Sequence, residues 1–142
     1  MPMVQNDDEM REILTRYRRV AVVGLSDDPD RPSHSVASYL QEQGYDIYPV
    51  NPTLVGKTVL GREVYSSLAE LPEPPEIVDV FRRSQFVSEV ADAAIAAGAK
   101  VLWTQLGVRD DAAAERASAA GLQVVQNRCT AIEHGRLHIG HR

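Results

Sequence analysis

Short, mainly apolar runs alternate along the chain with longer amphipathic stretches. The runs lie at Val20–Val23, Asp46–Val50, Ile77–Phe81, Lys100–Thr104 and Leu122–Gln126. Apolar runs of this length are typical of strands that are buried on both faces of a parallel sheet. The pattern therefore predicts a sheet built from these five segments.

The stretches between these runs have helical features. Helices are predicted at about Asp7–Tyr17, Ser33–Gln43, Ser84–Ala97 and Asp110–Ala120. Asn6 can cap the first helix with its side chain. A glycine, the usual residue just beyond a helix end, follows each of the others, at Gly44, Gly98 and Gly121. The segment 53–67 is predicted to be a loop with one short strand, and the residues after Cys129 to be a polar tail.

Strands that alternate with helices predict an α/β fold of right-handed βαβ units, a Rossmann-like three-layer sandwich with a mainly parallel sheet. The 142 residues suit a single domain, with an N-terminal helix in 1–18, a core in 19–137 and a tail in 138–142. Ligands of such sheets bind at the carboxyl ends of the strands, near the point where the strand order reverses. The residues that follow each strand are therefore the first to consider.

Composition narrows the classes of partner. The chain has 15 basic and 20 acidic residues and a net charge of −5, which argues against nucleic acid. The single cysteine, Cys129, excludes an intramolecular disulfide and suits a reducing compartment. No signal pattern opens the chain, and no apolar run approaches the ~20 residues that span a membrane. We therefore expect a cytoplasmic protein with no membrane partner.

The loop after the first strand has the features of an anion site. Gly24 in Gly24-Leu25-Ser26 permits a tight turn and a close ligand approach. Arg31, Pro32 and Ser33 lead into a helix whose N-terminal end attracts phosphate, and Arg31 can add a bidentate contact. Ser at position 26 and Pro at position 29 depart from the G-x-G-x-x-G dinucleotide fingerprint. A plain strand-to-helix loop with a Ser cap fits these residues equally well.

The second strand ends without an acid. NAD-binding domains usually place Asp or Glu here to hold the ribose hydroxyls, whereas this chain has Val50, Asn51 and Pro52. Val50 and Pro52 could border an adenine ring, and Asn51 can donate or accept without repelling a phosphate. Lys57 lies just beyond. An Asn-Pro turn and a solvated lysine are the alternative interpretation.

The later strand ends supply further candidates. Phe81 and Arg82 follow the third run, and one of Arg82 and Arg83 is expected to face the cleft, while Ser84 can cap the next helix. Gln105 and Gly107 could line the pocket, and Trp103 is expected in the core. Cys129 suits packing, and three histidines of the tail, His134, His138 and His141, lack the spacing of a zinc site. No catalytic or metal-binding residues are assigned.

Several motifs in a fixed order together resemble a known family. They are Val23-Gly24-Leu25-Ser26, Arg31-Pro32-Ser33, Gly44-Tyr45, Pro49-Val50-Asn51-Pro52, Gly61, Asp79-Val80-Phe81-Arg82, Trp103-Thr104-Gln105-Leu106-Gly107 and Arg128-Cys129. The chain resembles the small CoA-binding proteins of the YccU-like family, which are similar to the CoA-binding domain of the succinyl-CoA synthetase alpha subunit. The resemblance runs from about Arg19 to Leu137.

The resemblance implies coenzyme A at the strand ends. It places Gly24, Ser26, Arg31, Pro32 and Ser33 at the pyrophosphate, and Val50, Asn51 and Pro52 beside the adenosine. It places Phe81 and Arg82 on the same cleft, and Gln105 and Gly107 on the pantetheine side. Lys57 is a further candidate, because the synthetase domain has Gly-Lys after its second strand. Asn127 stands where the family often has Asp. The synthetase's second domain, with its phosphorylated histidine, is missing, so ligase activity is not expected.

The sequence therefore predicts a stand-alone protein that binds CoA or an acyl-CoA and has no evident catalytic machinery. Its protein partner, if it has one, is not specified. Three alternatives remain open. One is an NAD(P)-binding oxidoreductase or redox-sensor domain, against which the missing glycines and the missing acid weigh. Another is an enzyme that acts on acyl-CoA through Cys129. The last is an interaction module whose pocket is vestigial.

Overall fold

The computed structural model describes residues 6–140. Its seven strands are β1 (Arg19–Val23), β2 (Asp46–Val50), β3 (Thr58–Val59), β4 (Arg62–Glu63), β5 (Ile77–Val80), β6 (Val101–Thr104) and β7 (Gln123–Val125). All but β3 and β4 form one parallel five-stranded sheet in the order β2-β1-β5-β6-β7. The predicted parallel sheet and the Rossmann-like α/β class are thereby confirmed.

The helices of the described chain are α1 (Asp7–Arg16), α2 (Pro32–Glu42), α3 (Val87–Ala96), α4 (Asp111–Ala119) and α5 (Thr130–Arg136). Short 3-10 turns lie at Pro52–Leu54, Leu68–Glu70 and Ser84–Phe86. Asn6 caps α1 as predicted, because its side chain accepts the N–H of Glu9. No helix within residues 6–140 is long and apolar enough to cross a bilayer.

Helices cover both faces of the sheet, which gives the predicted three layers. On one face α3 and α4 enclose a core that includes Val23, Val80, Val90, Leu102 and Ala114. On the other face α1, α2 and α5 enclose a core that includes Ile13, Val22, Leu40, Ile77 and Trp103. Trp103 is fully buried, as expected, and its indole N–H donates to the carbonyl of Arg128 at 2.8 Å. Both faces of the strands are apolar because both are covered.

The strand order reverses between β1 and β5. From β1 the chain winds to β2 on one side, and from β5 to β6 and β7 on the other. Gly24 lies at this point with a φ of +90°, and a Cβ built on it would lie 2.6 Å from the carbonyl oxygen of Phe81. Only glycine fits so close to the neighbouring backbone. This is the place where α/β sheets bind their ligands.

Three local predictions were wrong. The segment 53–67 holds two short strands instead of one, because β3 and β4 pair as an antiparallel hairpin. The tail after Cys129 contains α5, in which His134 is buried rather than lying in a polar tail. Ser84 does not cap α3 with its side chain; its hydroxyl accepts the N–H of Arg109 at 2.9 Å instead. His141 lies outside the described residues.

Helix α5 is held by polar contacts rather than by an apolar face. The ring nitrogens of His134 lie 2.8 Å from the Tyr39 hydroxyl and 2.8 Å from the Gly140 carbonyl. Arg136 bonds both Glu133 and Asp7, which joins α5 to α1. An isolated helix of seven residues is unstable in water. These tertiary contacts therefore make α5 helical.

Candidate ligand-binding site

A cavity of about 610 Å³ lies at the reversal of the strand order. Its walls come from the loops after β1, β5, β6 and β7 and from the first turns of α2. The lining residues are Gly24, Ser26, Arg31, Pro32, Ser33, Val36, Phe81, Arg82, Arg83, Gln105, Leu106, Gly107, Val108 and Cys129. Nine of the predicted site residues are among them: Gly24, Ser26, Arg31, Pro32, Ser33, Phe81, Arg82, Gln105 and Gly107.

The start of α2 forms one wall of this main cavity. Pro32 occupies the first helical position, where a missing N–H costs nothing. The Ser33 hydroxyl accepts the backbone N–H of Ser26 at 3.0 Å, and the Ser26 hydroxyl accepts the N–H of Asp28 at 3.0 Å. These bonds fix the loop after β1 against the helix. The positive end of the α2 dipole therefore faces a preformed turn.

Arginines supply the charge of the main cavity. The Arg31 side chain is 71% exposed and lies only loosely against Asp28, with 4.0 Å between Nε and Oδ2. The guanidinium carbon of Arg82 lies 4.1 Å from the centre of the Phe86 ring, and its Nη1 lies 3.8 Å from Oε1 of Glu89. Arg83 also lines the cavity, so both neighbouring arginines reach it rather than one. Three guanidinium groups thus surround space that an anion can enter.

A second cavity of about 200 Å³ adjoins the main one at Arg82, which lines both. Val50 and Pro52 are in its wall, with Val23, Leu68, Val90 and Ala93 among its apolar residues. Val50 and Pro52, which were predicted to lie beside an adenine ring, thus line the same apolar pocket. This second cavity is small, and Arg82 with its ion-pair partner Glu89 forms a charged edge beside the apolar walls, which suits a flat ring with polar substituents.

The structure gives three other predicted site residues different surroundings. Leu25 is fully buried in the core. Asn51 donates from Nδ2 to the Leu25 carbonyl at 3.1 Å, and its Oδ1 accepts from Thr53, so it ties the loops after β1 and β2 together. Lys57 is exposed and lines neither cavity. Neither Leu25 nor Asn51 lines these two cavities, so in this geometry both shape the site from behind.

Asp79 lies behind the cavity wall and was not among the predicted site residues. It is fully buried in β5, with Val22 and Trp103 as its register neighbours on β1 and β6. Gln105 donates from Nε2 to Asp79 Oδ1, and the Thr130 hydroxyl donates to Oδ2 at 3.0 Å. Burial raises the pKa of Asp79 to about 7, against the smaller opposing effect of these hydrogen bonds. The signal in the sequence was an acid inside an apolar strand.

The far end of the main cavity is shaped by Gly107 and Cys129. Asn127, at a φ of +59°, accepts the Gly107 N–H on its Oδ1 at 2.7 Å. Asparagine tolerates this backbone region better than most residues, and an aspartate could accept the same bond. Leu106 and Cys129 also line a third cavity of about 320 Å³. The main cavity thus has a neighbouring cavity at each end.

Sequence reasoning did not predict five residues of the main cavity's lining as ligand contacts: Val36, Arg83, Leu106, Val108 and Cys129. Arg83, Leu106 and Val108 are adjacent in sequence to predicted site residues, and Cys129 was considered as a core residue or as a nucleophile. Val36 lies one helical turn after Pro32, so the helical period could have indicated it. Among residues 6–140 no group of three or more His, Cys, Asp and Glu side chains is placed to hold a metal ion.

Comparison with known proteins agrees with this geometry. The family model described as the CoA binding domain matches residues 18–135. The chain is 43% identical over 126 residues to the uncharacterized protein YneT of Bacillus subtilis, covering 89% of this chain and 92% of that protein. It is 32% identical over 95 residues to the alpha subunit of the ADP-forming acetate–CoA ligase I of Pyrococcus furiosus, covering 64% of this chain and 21% of that subunit.

Solved structures agree with the sequence relatives. A hypothetical protein from Pyrococcus horikoshii OT3 superposes with a TM-score of 0.90 at 44% identity, covering 94% of this chain and 93% of that one. A protein from Thermus thermophilus superposes with a TM-score of 0.90 at 39% identity, covering 94% and 99%. Since the family model spans most of the described sheet and its helices, the chain belongs to the CoA binding domain family.

Proposed function

We propose that this protein binds coenzyme A or an acyl-CoA along the carboxyl edge of its sheet and serves as a carrier, sensor or partner module rather than as a catalyst. The observation that carries the proposal is the main cavity, where three arginines and the start of α2 meet at the strand-order reversal. A chain of the CoA binding domain family with such a cavity has the charge and the position that a pyrophosphate ligand requires.

The pyrophosphate is assigned to the start of α2. Gly24, Ser26 and Ser33 line the main cavity there, and the two serines offer hydroxyls to a phosphate. Arg31 has no tight partner to give up, because its only acidic neighbour within 4.0 Å among the described residues is Asp28. It can therefore close onto a phosphate with little loss of existing interaction.

The adenosine is assigned to the second cavity. Val50 and Pro52 supply apolar walls for the ring, and Arg82 stands between this cavity and the main one. A cation at that point suits the 3′-phosphate that distinguishes CoA from NAD. Asn51 adds no negative charge where NAD-binding domains carry an acid. This favours CoA over the nicotinamide alternative.

The pantetheine arm is assigned to the opposite end of the main cavity, along Gln105 and Gly107 toward Cys129. A thiol or thioester there would lie next to the third cavity, which Leu106 and Cys129 share. The acetate–CoA ligase subunit named above is a CoA ligase by its name, and this chain matches 21% of it. The match to a protein named for CoA supports CoA as the ligand of the shared region.

Replacing Arg31 with alanine tests the phosphate assignment. We expect Arg31→Ala to weaken CoA binding by about ten- to a hundredfold, the worth of one charge-assisted hydrogen bond. Titration calorimetry with CoA measures the change. Lys57→Ala is the matched control, because it removes one exposed positive charge that lines neither cavity. Equal losses of affinity in both variants would mean that the effect comes from net charge alone. An unchanged affinity in Arg31→Ala would mean that Arg31 does not belong to the site.

A further inference from the structure

The buried carboxyl of Asp79 determines how Gln105 faces the main cavity. An ionised carboxylate only accepts hydrogen bonds, so the neighbouring amide must turn its NH₂ group inward. Gln105 Nε2 donates to Asp79 Oδ1 and also lies 3.4 Å from the Thr130 hydroxyl oxygen. The Thr130 hydroxyl in turn donates to Asp79 Oδ2. Asp79 and Thr130 therefore engage the donor end of Gln105.

The acceptor end of Gln105 is left for a ligand. No buried side-chain nitrogen or oxygen within residues 6–140 lacks a hydrogen-bond partner. Gln105 Oε1 accepts no bond from another described residue, so this oxygen is not sealed in the protein. Gln105 lines the main cavity. Its carbonyl oxygen is thus a fixed acceptor on the cavity wall.

We propose that Asp79 is a positioning residue, which holds Gln105 as the hydrogen-bond acceptor for an amide N–H of the pantetheine arm. This inference rests on the proposed binding of CoA and adds the contact that selects the arm. The pantetheine arm carries secondary amides, whose N–H groups require an acceptor when the arm leaves water. If the Gln105 amide turned by half a rotation, it would present NH₂ to that N–H and repel it.

The ionisation state of Asp79 controls this orientation. Its pKa of about 7 means that the carboxyl is ionised above neutral pH and gains a proton below it. A protonated Asp79 can donate to Gln105 Oε1, which turns the amide donor toward the cavity. The titratable groups on elements packed against Asp79 are engaged with other residues. Arg19 of β1 pairs with Glu76. In α5, Glu133 and Arg136 pair with each other, and His134 contacts Tyr39 and Gly140. None of these groups contributes to the pKa of Asp79.

Asp79→Asn tests the inference at pH 8, where wild-type Asp79 is ionised. An asparagine can donate to Gln105 Oε1 and so supports the inverted amide. Two ligands are titrated by calorimetry: CoA, and adenosine 3′-phosphate 5′-diphosphate, which is CoA without its pantetheine arm. We expect Asp79→Asn to weaken CoA about tenfold and to leave the arm-less nucleotide within about twofold. In the wild type, the affinity ratio of CoA to the arm-less nucleotide should fall from pH 8 to pH 6, whereas the variant should show a flat ratio.

A second variant protects the test against misfolding of the first. Gln105→Met removes the acceptor, keeps the side-chain length and should cause the same selective loss of CoA binding. Combining both substitutions should add no further loss, because they remove one contact. Equal losses for both ligands, or none for either, would overturn the positioning role while CoA binding stood. A wild type that binds neither ligand would overturn the proposed function itself.

Discussion

Gly24→Ala should cost about 3 kcal/mol or more of unfolding free energy and should remove most of the affinity for CoA in the fraction that folds. The φ of +90° strains any residue with a side chain, and the added Cβ would meet the Phe81 carbonyl oxygen at 2.6 Å. The surrounding backbone cannot easily give way. Gly24 donates its N–H to the Val50 carbonyl at 2.8 Å, and Phe81 donates to the Val23 carbonyl at 2.9 Å. Relieving the clash would therefore force β1 and β5 apart beside the main cavity.

Urea unfolding followed by circular dichroism measures this loss, and Gly98→Ala is the matched control. Gly98 has a φ of +76°, and a Cβ there would find no atom within 4 Å. The Gly98→Ala variant carries the backbone strain without the clash, so we expect its unfolding free energy to fall by about 1 kcal/mol. Equal losses in the two variants would mean that β1 and β5 are not packed as closely as described.

Asp79→Asn should change the pH dependence of stability by an amount on the order of 4 kcal/mol. The pKa of this carboxyl rises from 3.8 in a model compound to about 7 in the folded chain. Between these values the folded state holds a proton that the unfolded state has released, so wild-type stability falls as the pH rises. Below about pH 4 both states are protonated, and above about pH 7 the loss is complete. An asparagine does not titrate, so the variant should gain on the wild type as the pH rises from 4 to 8.

The measurement is the difference in unfolding free energy between Asp79→Asn and the wild type, taken in urea at several pH values. Asp111→Asn is the control of opposite sign. The Asp111 carboxylate is exposed, and its hydrogen bonds from Gln126 and Arg109 lower its pKa. That substitution should therefore bring no gain at high pH. A difference for Asp79→Asn that stayed constant from pH 4 to pH 8 would show that Asp79 does not titrate abnormally in the fold.

The strands were predictable because burial on both faces leaves little choice of residue. Runs such as Val20–Val23 occupy central strands and carry no exposed position. Helix α5 was not predictable by the same logic. Its large apolar residue, Ile132, is 55% exposed, and the buried positions are Thr130, Glu133 and His134. These buried residues are polar, and Thr130 and His134 bond the distant residues Asp79 and Tyr39, so no apolar period in the local sequence indicates the helix.

The candidate site divides in a similar way. Residues that follow a strand directly, such as Gly24 and Gln105, were predictable because parallel strands end at one edge. Asn51 was predicted as a ligand contact, but its side chain bonds Leu25 and Thr53. The bond to Thr53 belongs to the Asn-Pro turn that the sequence offered as the alternative, whereas the bond to Leu25 depends on loop geometry that spacing does not encode. To predict the role of Asp79, one would need to know that Gln105 and Thr130, which lie 26 and 51 residues away in sequence, both bond to it.

The central claim is that the carboxyl edge of this sheet selects CoA. Calorimetric titration of the same protein with CoA and with NAD, in one buffer at one salt concentration, tests it most directly. The arginines of the main cavity and the uncharged Asn51 after β2 predict that CoA binds more tightly by about ten- to a hundredfold. NAD binding as tight as that of CoA would contradict the account.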